Sequence, residues 1–147
     1  MRGFEIAALL SQFEYPYSKL CDIVTAEQLP DYVKEGDFII INHNHHWTCL
    51  HHSFHGYELF DSCGVNLVTE NFLRKTLPKS YFFVEFNLLK LQSDRTKTCG
   101  LMCAYYIIHR ALDFDIPYRE FLSTHFYTSV TKNEKLVKDF FQDGICE

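Results

Sequence analysis

The chain has 147 residues, a length typical of one domain built around a single core, and we expect one domain over residues 1–147. Its content of 47% hydrophobic and 16% aromatic residues is that of a folded protein and excludes extended disorder. The net charge of −5 does not favour a nucleic-acid partner, because proteins that bind phosphates through charge normally carry a basic face.

The N-terminal segment does not have the features of a signal peptide or a membrane anchor. Its apolar run, Ile6–Leu10, is shorter than the roughly 7–15 residues of a secretory core, and no run approaches the ~20 residues of a membrane span. We therefore expect a soluble intracellular protein that does not bind membranes. Its six cysteines are expected to be reduced thiols: Cys21, Cys49, Cys63, Cys99, Cys103 and Cys146.

The first half of the chain is predicted to hold one helix followed by strands. Apolar residues at helical spacing predict a helix over Phe4–Phe13, ended by Pro16, and a polar connection leads on to Leu29-Pro30. Short apolar or alternating runs predict four strands: Phe38–Ile41, Trp47–His52, Tyr57–Phe60 and Tyr81–Phe86. The second and third strands are joined by Ser53–Gly56, which predicts a hairpin.

The second half is predicted to be mainly helical. The segment Leu67–Leu77 predicts a helix that Pro78 stops. Apolar residues at spacings of three and four predict a buried helix from Cys99 to about Asp113. Two shorter helices are predicted further on: Pro117–Leu122 and Asn133–Phe141. Because the elements are segregated along the chain, we expect an α+β fold rather than a βαβ repeat.

Cys99 is the first candidate for chemistry. It lies where the irregular polar stretch Ser93–Thr98 meets the start of the predicted buried helix. A helix N-terminus combines free backbone N–H groups with the positive end of the helix dipole, and both favour a thiolate over a thiol. The alternative reading is a small residue that only packs at a helix start.

His46 and Asp61 are candidates for the base and the residue that orients it. His46 precedes the predicted strand Trp47–His52, and Asp61 follows the next strand, Tyr57–Phe60. Antiparallel pairing places the start of one strand beside the end of the next, so the two side chains are expected to be neighbours. A carboxylate bound to one imidazole nitrogen leaves the other free to face a thiol. The alternative is a turn cap or a solvated surface pair.

Gln92 is a candidate oxyanion donor. A side-chain amide can donate a hydrogen bond to a developing oxyanion, as the backbone N–H of Cys99 can. Gln92 lies seven residues before Cys99, and taken alone it would be an ordinary loop residue.

Taken together, these residues resemble the adenain family, the adenovirus-type cysteine proteases. The resemblance is carried by an ordered set of motifs: His46-Trp47, Tyr57–Gly64, Gln92 and Thr98-Cys99-Gly100. The same order of His, acid, Gln and Cys occurs in the related SUMO- and NEDD8-deconjugating peptidases. The chain is most similar to adenain-like proteases of virus-like DNA transposons and related DNA viruses. In those, a Leu-Pro segment precedes an Ile/Val-rich strand ending in Asn, as Leu29-Pro30 precedes Phe38–Asn42 here.

The resemblance implies a papain-like cysteine peptidase core in permuted order, with His before Cys. A central helix beginning at the nucleophile would pack on a mostly antiparallel sheet. His46 would be the base, Asp61 the orienting acid, Cys99 the nucleophile and Gln92 the oxyanion donor. The implied function is an endopeptidase that cleaves viral or virion precursor proteins at small-residue, Gly-containing sites, in the host nucleus or the virion.

Two other functions stay open at the level of sequence. One is an isopeptidase that removes ubiquitin or a ubiquitin-like modifier, although 147 residues leave little room for a modifier-binding platform. The other is an inactive capsid-associated or modifier-binding module. Trp47, beside the predicted base, is a candidate wall of the substrate groove. Polypeptide is the expected substrate, and the resemblance adds a viral peptide activator and nucleic acid as candidate partners, because adenovirus proteases use a peptide cofactor and DNA.

A histidine-rich segment raises the alternative of a zinc site. Six histidines and one cysteine fall within thirteen residues: His43, His45, His46, Cys49, His51, His52 and His55. Alternate residues of a strand face opposite sides of the sheet, so these side chains cannot all converge. We expect histidines at a sheet edge, with no metal and no cofactor. Cys63 stands where many relatives have an aromatic residue, and Cys103 is expected to be a buried packing residue.

Overall fold

The computed structural model describes residues 2–12, 20–43, 45–65, 70, 71, 74, 75, 84–93 and 97–145. These residues form an α+β fold with a mixed five-stranded sheet, which confirms the expected class. In chain order the elements are α1 (Gly3–Leu10), β1 (Leu20–Thr25), β2 (Phe38–His43), β3 (His46–Ser53), β4 (Gly56–Phe60), β5 (Glu85–Phe86), α2 (Cys99–Leu112), α3 (Tyr118–His125) and α4 (Val130–Ile145).

The sheet follows the chain order β1-β2-β3-β4-β5, with antiparallel pairs at its centre and parallel pairs at its edges. The expectation of a mostly antiparallel sheet is therefore wrong for the two outer pairs. Parallel neighbours cannot be joined by a tight turn and need a longer crossover. Residues 26–37 and 61–84 are long enough to supply those crossovers.

Three predicted strands are confirmed as β2, β3 and β4, and the predicted hairpin joins the last two. Ser53 pairs with Gly56, so the turn has two central residues, Phe54 and His55. Gly56 has φ of 121°, a conformation that glycine adopts without the strain of a side chain. The hairpin fixes the register that brings the start of β3 beside the end of β4.

The polar connection expected between Pro16 and Leu29 is wrong, because it contains β1. This strand is parallel to β2 and has a partner on one side only. The side chains of Asp22 and Thr25 are exposed. An edge strand of this kind has a weak hydrophobic pattern, which explains why the sequence did not predict it.

The helical predictions hold with altered ends. The helix from Cys99 is confirmed as α2, while α1 ends at Leu10, α3 extends to His125 and α4 begins at Val130. Other predictions lie partly or wholly outside the described residues: Phe13, Pro16, Pro78, Tyr81–Phe83 and most of Leu67–Leu77. Residues 70, 71, 74 and 75 of that last segment are helical.

The helices form one layer against the sheet. The larger core lies between them, where α2 packs on β3 and Tyr106 of α2 stacks on Phe60 of β4. A second core on the opposite face includes Leu50 and Leu59 and is covered by loop residues such as Val33. The sheet is therefore buried on both faces, which makes its ends and edges the places where polar side chains can act. Among the helices of the described residues, none has the length and apolar character needed to cross a lipid bilayer.

Candidate active site

Cys99 lies at the first position of α2, where this helix meets the sheet. The residue is 9% exposed and its sulfur forms no disulfide bond. Its sulfur interacts with the side chain of His46 and with the backbone of Trp47 and Gly100. The helix start therefore brings the predicted nucleophile to the predicted base.

The unequal lengths of β3 and β4 explain how this contact arises. β4 ends at Phe60, which pairs with Cys49, so the part of β3 before Cys49 has no partner strand on that side. Trp47 lies in this unpaired part, and its backbone contacts the first turns of α2. The thiol of Cys103 donates to the Trp47 carbonyl at 3.4 Å, and the Trp47 backbone also interacts with Cys99. The N-terminal turn of α2 is thus tied to the start of β3.

His46 begins β3 directly after a tight turn. His45 in that turn has φ of 63°, a left-handed conformation that is uncommon outside glycine. The Nε2 atom of His46 lies 2.7 Å from Oδ1 of Asp61. Because one ring nitrogen is bound to Asp61, the other is the one available to Cys99. His46 therefore stands between the carboxylate and the thiol, with its side chain 28% exposed.

The surroundings favour an ion pair between Cys99 and His46. Burial is the largest influence on His46 and lowers its pKa, but bonds to Asp61 and Cys99 and their charges outweigh burial and raise the pKa to about 10. Burial is also the largest influence on Cys99 and would raise its pKa. The His46 side chain and the backbone groups of Trp47 and Gly100 outweigh burial, so the pKa of the thiol is lowered. Both shifts favour a thiolate beside an imidazolium.

Asp61 is held in place by bonds to both its side chain and its backbone. Oδ1, the atom bound to His46, also accepts the backbone N–H of Cys63 at 2.9 Å. The Asp61 N–H donates to Oδ1 of Asn87 at 2.8 Å, and the Asp61 carbonyl accepts from Nδ2 of Asn87 at 2.6 Å. Asn87 is 1% exposed and follows β5 directly. The sequence did not single out Asn87, because nothing local indicates that β5 ends beside Asp61.

Gln92 joins the site through Ser62, the residue that follows Asp61. The Ser62 hydroxyl donates to Oε1 of Gln92, and the backbone N–H of Gln92 donates to the Ser62 carbonyl at 2.9 Å. Both residues are almost fully buried. Because Oε1 is taken by the hydroxyl, the amide of Gln92 is fixed with Nε2 as its donor end. The described contacts thus connect Gln92 to Asp61 through Ser62, and its oxyanion role stays a prediction.

Trp47 contributes its backbone to the site and its ring to the core. The residue is 7% exposed and belongs to the cluster between the sheet and the helices. A Cβ atom added to Gly3 of α1 would lie 3.5 Å from the Trp47 ring. The ring therefore offers little surface to a substrate, and its expected role as a groove wall gains no support from this placement.

A buried ion pair connects α2, which begins at Cys99, with β4, which ends just before Asp61. Arg110 of α2 binds Glu58 of β4 through Nη2 at 2.9 Å and Nε at 3.0 Å, and both side chains are almost fully buried. Tyr106 donates to the same carboxylate. The signal in the sequence was an arginine on the apolar face of α2, four residues after Tyr106, which sequence reasoning did not use.

The histidine-rich segment does not converge on one point. The expectation of histidines at a sheet edge is wrong for His51, which is 2% exposed and lies on β3, the central strand. The rings of His51, His52 and His55 interact with three separate backbone carbonyls, those of Asp37, Val33 and Asp115. Within the described part of the chain, one group of donor atoms is close enough together to hold a metal ion: His46, Asp61 and Cys63.

Comparison with known proteins adds no family to this description. No family model matches the chain, and no curated protein matches it.

Proposed function

We propose that this chain is a cysteine peptidase with Cys99 as nucleophile, His46 as acid–base catalyst and Asp61 as the residue that orients His46. The observation that carries the proposal is the continuous contact from the Cys99 sulfur through the His46 ring to Oδ1 of Asp61. A nucleophile, a base and an orienting carboxylate in this order are the requirements for acyl transfer by a thiol.

The proposed reaction begins with attack of the Cys99 thiolate on the carbonyl carbon of the scissile bond. The oxyanion that forms is stabilised by the backbone N–H of Cys99 and by Nε2 of Gln92. The His46 imidazolium gives its proton to the leaving amine, and a thioester to Cys99 remains. His46, now neutral, takes a proton from water, which hydrolyses the thioester and regenerates the thiolate. Asp61 holds the ring in one orientation through both steps.

The proposed substrate is an extended polypeptide, cleaved at small-residue, Gly-containing sites in viral or virion precursor proteins. This part of the proposal rests on the resemblance to adenain-like proteases. The runner-up is an isopeptidase that cuts after the Gly-Gly tail of ubiquitin or a ubiquitin-like modifier. Both functions use the same acyl chemistry and differ in what lies on the acyl side of the bond.

A peptide-library cleavage profile of the purified protein, read by mass spectrometry, tests the proposal. The library contains Gly-containing internal sites and isopeptide-linked Gly-Gly tails, so the preferred class identifies the substrate. Cys99→Ala is expected to abolish cleavage without loss of fold, measured by circular dichroism. Cys63→Ser is the matched control, because Cys63 is a half-buried thiol outside the proposed reaction, and it should cleave as the unmodified chain does.

Covalent labelling separates an inactive protein from one given the wrong substrates. A peptide vinyl sulfone ending in glycine is expected to label Cys99 far faster than it labels Cys63, as read by peptide mapping. A Cys99 that reacts no faster than Cys63 would leave the chain as a binding module and end the enzyme proposal.

A further inference from the structure

We propose that His46, Asp61 and Cys63 form a binding site for a zinc ion at the edge of the candidate active site. The nitrogen, oxygen and sulfur donor atoms of these three side chains all lie within 4.8 Å of one another. Cys63 takes no part in the proposed peptidase reaction, so the presence of its thiol at this point is not explained by that reaction.

The turn after β4 is what brings Cys63 to the other two residues. The backbone N–H of Cys63 donates to Oδ1 of Asp61 at 2.9 Å, and the N–H of Gly64 donates to the Asp61 carbonyl at 2.9 Å. Gly64 has φ of 78°, and a Cβ there would lie 3.0 Å from the Leu88 carbonyl oxygen, so the turn requires glycine. With Asn87 also bound to the Asp61 backbone, the turn is fixed before any ligand binds.

The donor set matches the coordination chemistry of zinc. Imidazole nitrogen, carboxylate oxygen and thiolate sulfur are its three usual protein ligands, and three protein ligands leave a fourth position for water. In a tetrahedral site neighbouring donor atoms are roughly 3.3–3.6 Å apart, given metal–ligand bonds of about 2.0–2.3 Å. The 2.7 Å between Nε2 of His46 and Oδ1 of Asp61 would widen slightly, and the Cys63 sulfur would move inward by up to about 1 Å.

An ion can reach this position. The side chain of His46 is 28% exposed and Cys63 is half-buried, whereas the Asp61 side chain is 6% exposed, so an ion would approach Asp61 from the side of His46 and Cys63. Binding replaces the proton on Nε2 of His46 and the proton of the Cys63 thiol, and both protons pass to solvent. The Asp61 carboxylate and the Cys63 thiolate then balance the two positive charges of the metal.

The effect of the ion on activity rests on the proposed function: a bound ion would inhibit peptide cleavage reversibly. A His46 ring that holds zinc at Nε2 cannot also be the imidazolium that accompanies the Cys99 thiolate. The orienting bond from Asp61 is lost at the same time. Cleavage is therefore expected to fall as the site fills and to return when a chelator removes the metal.

Cobalt(II) absorption tests the binding site without any activity measurement. Co²⁺ replaces Zn²⁺ in such sites, and its thiolate complexes absorb in the near ultraviolet. The unmodified chain is expected to show this band and to lose it when Zn²⁺ is added. Cys63→Ser should abolish the band, whereas Cys99→Ala should keep it. His45→Asn is a matched control, because Asn tolerates the left-handed φ of this exposed neighbour, and the band should remain.

Survival of the band in Cys63→Ser, or its loss in Cys99→Ala or His45→Asn, would overturn the proposal, since the metal would then be held by other groups. In the activity arm, the rate of Cys63→Ser at each Zn²⁺ concentration is compared with the rate of the same variant in the presence of a chelator. The Zn²⁺ concentration that halves its rate should rise at least tenfold, and an unchanged value would also overturn the proposal. A chain that binds Co²⁺ as expected but cleaves no peptide would sink the proposed function alone.

Discussion

Asn87 binds both backbone groups of Asp61 with one side-chain amide, accepting at 2.8 Å and donating at 2.6 Å. The two residues are 26 positions apart in the chain, so this contact exists only once β5 lies beside β4. It fixes the backbone of Asp61, whose carboxylate orients His46, and makes Asn87 a positioning residue for the site.

We expect Asn87→Ala to weaken the site without removing any reacting group. The buried Asp61 N–H loses its acceptor at a cost of roughly 1–3 kcal/mol, whereas the Asp61 carbonyl keeps the Gly64 N–H, so urea denaturation should show lower stability. His46 is then less well held by Asp61, and the upper pKa of the kcat profile should fall. A variant that lost stability but kept the pH profile of the unmodified chain would show a purely structural role.

Tyr118→Phe is the matched control for Asn87. The Tyr118 hydroxyl donates to the Leu59 carbonyl at 3.0 Å and contacts Oδ1 of Asn87 at 3.4 Å, so it belongs to the same buried network. Its loss is expected to cost about 1 kcal/mol of stability with an unchanged pH profile.

The ion pair of Cys99 and His46 predicts a specific pH dependence. The thiol pKa is lowered, so alkylation of Cys99 should slow only when the pH falls through that lowered value. The His46 pKa is raised to about 10 from an unfolded value near 6.5, so its stabilising charge is fully present below 6.5 and lost as the pH rises through 10. Peptide cleavage should therefore fail near pH 10, whereas alkylation should not.

NMR titration of the His46 ring checks the origin of this pKa. Asp61→Asn and Cys99→Ala each remove a bond and a charge that raise it, so both variants should titrate below the unmodified chain. An unchanged value in either variant would contradict the proposed coupling.

Gln92→Ala tests the oxyanion role that the resemblance implies. Loss of one oxyanion donor typically lowers kcat by about 10²–10³, with little effect on KM. Ser62→Ala removes the hydroxyl that fixes the Gln92 amide and should cost less, about 1 kcal/mol or roughly fivefold in kcat. If both variants kept the kcat of the unmodified chain, Gln92 would be a structural residue.

The parts of the site that depend on one short segment could be predicted from the sequence. The start of α2 at Cys99 follows from apolar spacing, and the approach of His46 to Asp61 follows from a hairpin of known register. Asn87 could not be predicted, because its role depends on a parallel strand pair formed across a long connection. Cys63 is close to Asp61 in sequence, but it reaches the site through a turn that depends on the positive φ of Gly64.

The same limit explains why the buried ion pair could not be predicted from the sequence. Glu58 and Arg110 are 52 positions apart, and each alone looks like a charged residue in an otherwise apolar element. Only the packing of α2 on the sheet brings these two side chains into contact. An edge strand such as β1 is missed for a different reason. Its side chains are less buried than those of a central strand, so its sequence has little hydrophobic periodicity to detect.

Arg110→Met is expected to destabilise the chain strongly, because it leaves the buried carboxylate of Glu58 without its positively charged partner. Breaking such a pair on one side typically costs roughly 3–5 kcal/mol, measured here by urea denaturation. The double variant Glu58→Gln with Arg110→Met removes both charges and should recover a large part of that loss. Lys135→Met is the control, because its pair with Asp139 is exposed and is worth about 0–1 kcal/mol. A single Arg110 variant no less stable than the double would mean that the pair does not hold α2 to β4.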